Sequence, residues 1–298
     1  MRNTLRLLLG ALTAAALWTA PAAAQSLAPR ETARILAPGQ WQIGLFNPLR
    51  YGLQWVEIEL HPLVFLAAPH VDVKVPLSST HPDQWQWTAH LGVGVPTLGW
   101  RLPKPLGLAG DLVPSCKVAE VDPKAAGWCK RPGWLVVPKL GVWATREYSH
   151  DAGGDGYSTM TLRAEIASGF AVSGAEAAPL DAWGPVDVQL APQVGRTRAQ
   201  LRAAVDHRVL DGLRLRAELG GYWVSRPAGD EAVSPWTMSV YAGLDLRATA
   251  HTRLTLGAMV YDLDRRQQVL EKTAEGFDKY TYVRSHEVWP TVDFIWTY

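Results

Sequence analysis

Residues 236–249 keep a two-residue rhythm over their whole length. Trp236, Met238, Val240, Ala242, Leu244, Leu246 and Ala248 fall on one parity; Thr237, Ser239, Tyr241, Gly243, Asp245, Arg247 and Thr249 fall on the other. Successive side chains of a strand point to opposite faces, so this segment has one apolar and one polar face. It is longer than the five or six residues usual in a soluble sheet. It suits a tilted strand crossing a bilayer, which needs about 9–11 residues. The rhythm returns in 160–172, where Leu162, Ala164, Ile166 and Phe170 oppose Arg163, Glu165 and Gly169, and in 213–223, where Leu215, Ala217 and Leu219 oppose Arg214, Arg216 and Glu218. Further strands are predicted at 40–47, 53–61, 70–75, 84–95, 134–147, 186–196, 200–210, 252–262 and 286–298. The expectation is an all-β, transmembrane, antiparallel up-and-down barrel of about twelve strands, the even number such closed barrels use. A soluble secreted β-sandwich is the rival. After residue 24 no apolar run is long enough for a helical span.

The two ends of the sequence point the same way. In 286–298, Val288, Val292, Phe294, Trp296 and Tyr298 share one parity, while Glu287, Thr291, Asp293 and Thr297 share the other. Phe294, Trp296 and Tyr298 match the pattern of a C-terminal barrel-assembly signal. At the start, Arg2 and Arg6 precede an apolar stretch, and Ala22-Ala23-Ala24 offers a small-residue cleavage site. Residues 1–24 therefore read as a secretory signal peptide and residues 25–298 as the barrel. Without Arg2 and Arg6 the basic residues fall from 29 to 27, against 28 acidic ones. That near-neutrality argues against nucleic-acid binding. Fourteen Trp and nine Tyr are a rich supply of side chains suited to membrane–water interfaces.

The signal peptide, the alternating spans and the aromatic C-terminus together resemble bacterial outer-membrane β-barrel proteins. The stretch 40–53, QWQIGLFNPLRYGL, followed by 57–63, EIELHPL, looks like the first hairpin of uncharacterised exported barrel proteins. The resemblance is one of architecture and brings no site residues. It implies the bacterial outer membrane as location, its lipids as surroundings, and its barrel-assembly machinery as partner.

With both ends in the periplasm, the predicted strands place loops 149–158, 225–235 and 263–285 outside. The short turns at 211–212 and 249–251 fall inside. Residues 96–133 fit badly, because the strand order makes this long connector periplasmic. It holds Pro96, Pro103, Pro105, Pro114, Pro123 and Pro132, the apolar Leu98, Trp100, Leu102, Leu106, Leu108, Leu112 and Val113, and both cysteines. Either a strand is miscounted or the connector folds into the lumen as a plug. In an exported chain Cys116 and Cys129 are expected to pair as a disulfide worth about 3 kcal/mol, rather than to bind metal.

No Gly-x-Ser-x-Gly, His-Glu-x-x-His or phosphate-loop motif occurs. No Ser–His pair lies close in sequence, which counts against a lipid-acting enzyme. His61 and His90 fall on polar faces, and His207 on an apolar face near a strand end. Asp151 and Asp155 bracket a glycine-rich loop too poor in ligands for calcium, so neither metal nor cofactor is expected. The polar faces carry Glu57, Glu59, Asp72, Lys74, Arg163, Glu165, Arg214, Arg216, Glu218, Asp245 and Arg247, the candidate lumen-facing residues, with Arg202, Arg208, Asp187, Asp206 and Asp293 beside them. So balanced a set predicts either a ladder of ion pairs filling the lumen or a narrow channel or transporter for small polar solutes, rather than an open selective pore.

Overall fold

The computed structural model describes residues 31–45, 47–61, 69–78, 84–95, 134–148, 158–173, 197–210, 212–225, 236–272 and 278–298. The strands are β1 (Trp41–Gly44), β2 (Leu49–Gly52), β3 (Glu57–Leu60), β4 (His70–Pro76), β5 (Gln86–Gly94), β6 (Trp134–Tyr148), β7 (Ser158–Ser168), β8 (Phe170–Ser173), β9 (Thr197–Leu210), β10 (Leu213–Val224), β11 (Trp236–Arg247), β12 (Thr252–Lys272) and β13 (Asp278–Thr297). Each pairs antiparallel with its neighbours, β5 pairs with β6, and β13 returns to β1. β8 continues β7 across Gly169 and pairs with the start of β6, so the two act as one stave. The result is a closed antiparallel up-and-down barrel of twelve staves.

The count of twelve conceals two compensating differences. β2 lies between the strands predicted at 40–47 and 53–61, where four residues are too few to display a rhythm. The strand expected at 186–196 has no place in the wall, because β7 pairs directly with β9 from Thr159↔Asp206 to Ser168↔Thr197. Residues 186–196, Asp187 included, lie outside the described residues.

Missing β2 reversed the side assigned to every connection up to β8. In the barrel, β5 ends and β6 begins, on either side of the connector 96–133, at the end opposite the start of β1 and the close of β13, whereas β6 ends and β7 begins at the same end as these, hereafter the terminal end. The two sides predicted for these connections are thus exchanged. The connector, Cys116, Cys129, the Asp151–Asp155 loop and residues 1–24 all lie outside the described residues. The region expected as a loop at 263–285 is largely ladder, since pairing of β12 with β13 continues from Leu263↔Ser285 to Lys272↔Asp278. β11 pairs with β12 only as far as Asp262, so this hairpin extends past its neighbour.

The wall is uneven. β1, β2 and β3 have four residues each, whereas β12 has 21 and β13 has 20. The seam between β1 and β13 has three register pairs, Gln42↔Thr297, Ile43↔Trp296 and Gly44↔Ile295. Reciprocal backbone bonds of 2.8 Å between Trp41 and Tyr298 and stacking of their rings at 4.5 Å extend it.

Burial is inverted relative to a soluble protein. Leu201 and Val288 are 68% and 67% exposed on the outer face, with Leu215, Leu219, Met238, Val240, Val292 and Phe294 also exposed. Glu57, Lys74, Arg214 and Asp245 are fully buried on the inner face. A wall this apolar would not be left in water, and hydrocarbon is the solvent that suits it. Aromatic side chains gather at both rims. Tyr298 stacks on Trp41 and His251, and Tyr148 on His207, at the terminal end; Trp223 pairs with the exposed Trp236 at the other. This is where amphipathic rings meet the two membrane interfaces.

Candidate functional site

The site begins with residues 31–39, which precede the wall and enter the lumen from the terminal end. Pro38 and Gly39 turn the chain: Gln40 N–H donates to Ala37 O at 3.0 Å, and Gly39 has φ +80°. This is the geometry in which proline is followed by a residue glycine suits best. The turned chain presses on β2. A Cβ on Gly52 would lie 2.2 Å from Ala37 O and 2.6 Å from Leu36 O. From there the segment, hereafter the strap, crosses the lumen on polar contacts. Leu36 N–H donates to Glu57 Oε2 at 2.7 Å, and Ala33 N–H to Thr145 Oγ1 at 2.7 Å. Ala33 O accepts a short bond from Thr88 Oγ1. Arg34 Nε donates to Gln86 Oε1 at 3.0 Å, and Arg34 also pairs closely with Glu147. Finally Glu31 reaches Arg163 Nη2 at 2.9 Å and, more closely, Arg216 Nη2.

Below the strap the lumen holds paired charges. On one side Lys74 Nζ sits 2.6 Å from Glu59 and 3.2 Å from Glu57, while Arg50 lies 2.6 Å from Glu57 and 2.9 Å from Glu59. Register sets this cluster, because Glu57↔Lys74 and Arg50↔Glu59 are directly opposed across neighbouring strands. Asp72 pairs with Lys139 at 2.8 Å. His90 lies between Glu165 at 3.4 Å and Glu59 at 3.7 Å, and Glu165 also takes Arg198 at 2.9 Å. On the other side Glu218 meets Arg216 at 2.8 Å, Arg202 at 3.3 Å and Arg163 at 3.5 Å; Arg214 pairs closely with Asp206. Trp143 stands between the two groups, with Lys74 Nζ 4.0 Å and Arg163 Cζ 4.6 Å from its ring centre. Cations over an indole face are held by its quadrupole. Further round, Asp245 accepts from Arg253 at 3.2 Å and Thr255 at 2.9 Å.

Of the residues named from the polar faces, Asp187 lies outside the described residues and the others are placed. Glu57, Glu59, Asp72, Lys74, Arg163, Glu165, Arg214, Arg216, Glu218 and Asp245 are buried, and Arg247 is half-buried near the terminal rim. Phe294 is exposed on the outer face, and Trp296 and Tyr298 are half-buried. Sequence reasoning missed Glu31, Arg34, Arg50, Lys139, Trp143, Arg198 and Arg253. Pro38-Gly39 ahead of the first strand was the available signal for the strap, since that dipeptide marks a reversal. Trp143 was legible by parity with Gly141 and Thr145.

The structure also makes a Ser–His pair that sequence separation hides. Ser158 Oγ lies 3.0 Å from His207 Nδ1 across β7 and β9. Arg208 N–H donates to the same oxygen at 3.1 Å, and Ser158 is 1% exposed. A nucleophile must be open to its substrate, so this hydroxyl reads as a bracing group.

Fold and lumen together define the class: a closed transmembrane β-barrel with a charged, strapped interior. No family model matches the sequence, and no curated protein matches it. Among solved structures, the chain is similar to OmpT (in-vitro folded), an outer membrane protein of Vibrio cholerae, with 10% identity and a TM-score of 0.39. The match covers 86% of this chain and 64% of that one, so the chain spans under two-thirds of its length.

Proposed function

We propose that this protein is an outer-membrane barrel whose lumen forms a narrow pathway for small polar solutes, closed at the terminal end by the strap. The observation that carries this reading is the way the strap is held. Its bonds to Thr145, Thr88, Gln86, Glu57, Glu147, Arg163 and Arg216 are polar. Water can replace such bonds one by one, whereas an apolar plug would have to expose greasy surface to move. The apolar outer face fits membrane lipid. Phe294, Trp296 and Tyr298 fit the segment that assembly machinery would recognise. Cys116 and Cys129 lie in the sequence between β5 and β6, and we propose that they form a disulfide; two free thiols in a non-reduced digest would exclude it.

Single-channel recording in planar bilayers tests the pathway. The intact chain should give small discrete openings, and deletion of Thr32 to Pro38 should raise their conductance several-fold. A second reading, a structural barrel with a filled lumen, is favoured by the complete burial of Lys74, Glu57 and Arg214. Silence from both proteins would establish it. Hydrolysis of lipid by the same preparation would instead point to an enzyme. Fractionation tests location: the chain should pellet with outer membranes and migrate differently on gels before and after heating, and recovery in the soluble periplasmic fraction would refute the reading.

A further inference from the structure

The wall alone does not balance the charge around Glu31. Arg163 on β7, Arg202 on β9 and Arg216 on β10 converge on one wall carboxylate, Glu218. Two other wall acids, Glu165 and Asp206, are engaged by Arg198 and Arg214. A second carboxylate, Glu31, is brought in by the strap and reaches two of the three guanidiniums, those of Arg163 and Arg216. Its side chain is 32% exposed, while those of Arg163 and Arg216 are 5% and 3% exposed. Its backbone is held at φ +49°, a left-handed conformation uncommon outside glycine. The arginines themselves are braced from behind. Arg163 lies over Trp143, and Arg202 lies 5.2 Å from the Tyr222 ring centre. The buried Nε atoms of both have no hydrogen-bond partner among the described residues, which leaves donors to spare. Guanidinium forks fixed in this way match a carboxylate better than a spherical anion.

We propose that Arg163, Arg202 and Arg216 form a binding site for the carboxylate of a small solute, and that Glu31 occupies it as a resident stand-in which the solute must displace. The proposal rests on the pathway reading above. Exchange of one carboxylate for another leaves the buried charge balanced, so an organic acid can enter where a cation or neutral solute finds no vacancy. Because Glu31 is tethered, its effective concentration at the site is of order millimolar, and free acids bind the intact chain weakly. Release of Glu31 frees the first bond of the strap, which couples arrival of the solute to opening.

Succinate is the probe, titrated by calorimetry into the refolded full-length chain in detergent, with chloride as control and heat-shifted gel migration as proof of folding. Glu31→Gln should bind succinate at least tenfold more tightly than the natural sequence. Adding Arg216→Gln should abolish that gain, and Arg202→Gln, at a more open position, should reduce it if the Arg216 variant does not fold. Equal affinity in the natural and Glu31→Gln proteins, binding that survives loss of the arginines, or no binding at all would overturn the proposal. Conductance of the same samples separates the two readings. Succinate binding without conductance leaves the site standing and removes the pathway; conductance without succinate binding does the reverse.

Discussion

Lys74 and Arg216 are both enclosed cations of the lumen, yet their carboxylates come from different places. Lys74 takes Glu57 and Glu59 from the adjacent strand, fixed by the same register that builds the wall. Arg216 takes Glu218 from its own strand and Glu31 from a segment 185 positions away that is no part of the wall. The first cluster cannot be undone without disturbing the barrel. The second can lose a member and leave every strand in place. A lumen lined with ion pairs therefore contains two kinds of interaction, one that holds the barrel and one that can be exchanged.

The largest test of this contrast is Lys74→Met. It leaves the buried Glu57 and Glu59 to share Arg50, and loss of one partner of a buried ion-pair cluster costs about 3–5 kcal/mol. Urea unfolding in lipid vesicles should show a loss of that size. Val240→Arg, on the outer face, touches neither cluster and gives an independent scale. A charge placed against the bilayer midplane should cost about 2–4 kcal/mol in the same assay, and a neutral result would mean that this face does not meet lipid. Gly52→Val acts on the strap from the wall side, where the added Cβ meets Ala37 O. Overpacking of this kind costs about 1–3 kcal/mol. Limited proteolysis should then cut within residues 31–39 faster, with the strands still protected. Smallest is Glu31→Gln: its carboxylate is partly in water, so the loss should be about 1 kcal/mol. A cost equal to that of Lys74→Met would erase the distinction between the clusters.

The wall was legible because lipid outside and ion pairs inside force a strict alternation. Residues 213–223 and 236–249 display it over their whole length, and β10 and β11 fall close to those bounds. Two parts were not legible, each for a physical reason. Leu49–Gly52 is too short for a rhythm to show, and its omission moved the connector 96–133 to the wrong end. The alternation read at 186–196 had no partner strand to confirm it, and direct pairing of β7 with β9 excludes it from the wall. The candidate charges could be listed from parity, but not their partners, because Glu31 meets Arg216 only through tertiary structure. Trp143 shows the same limit: parity puts it inside, and nothing local says that it will lie between Lys74 and Arg163.

The short seam described above governs how the barrel can be made. Gln42 Nε2 donates to Thr297 Oγ1 across a separation of 255 residues, whereas β12 and β13 are joined through residues 273–277. Contacts so distant in sequence bear the largest loop-closure entropy and form slowly. The curved sheet from β2 to β13 can grow hairpin by hairpin, but it stays an open edge until three register pairs and one aromatic stack fasten β1 to β13. The seam is thus the last joint to close, and it is one of several short joints, since β1 meets β2 in two register pairs and β3 meets β4 in three. Opening of the finished barrel is expected to begin among these short joints on either side of β1, and not in the long ladders of β9 to β13.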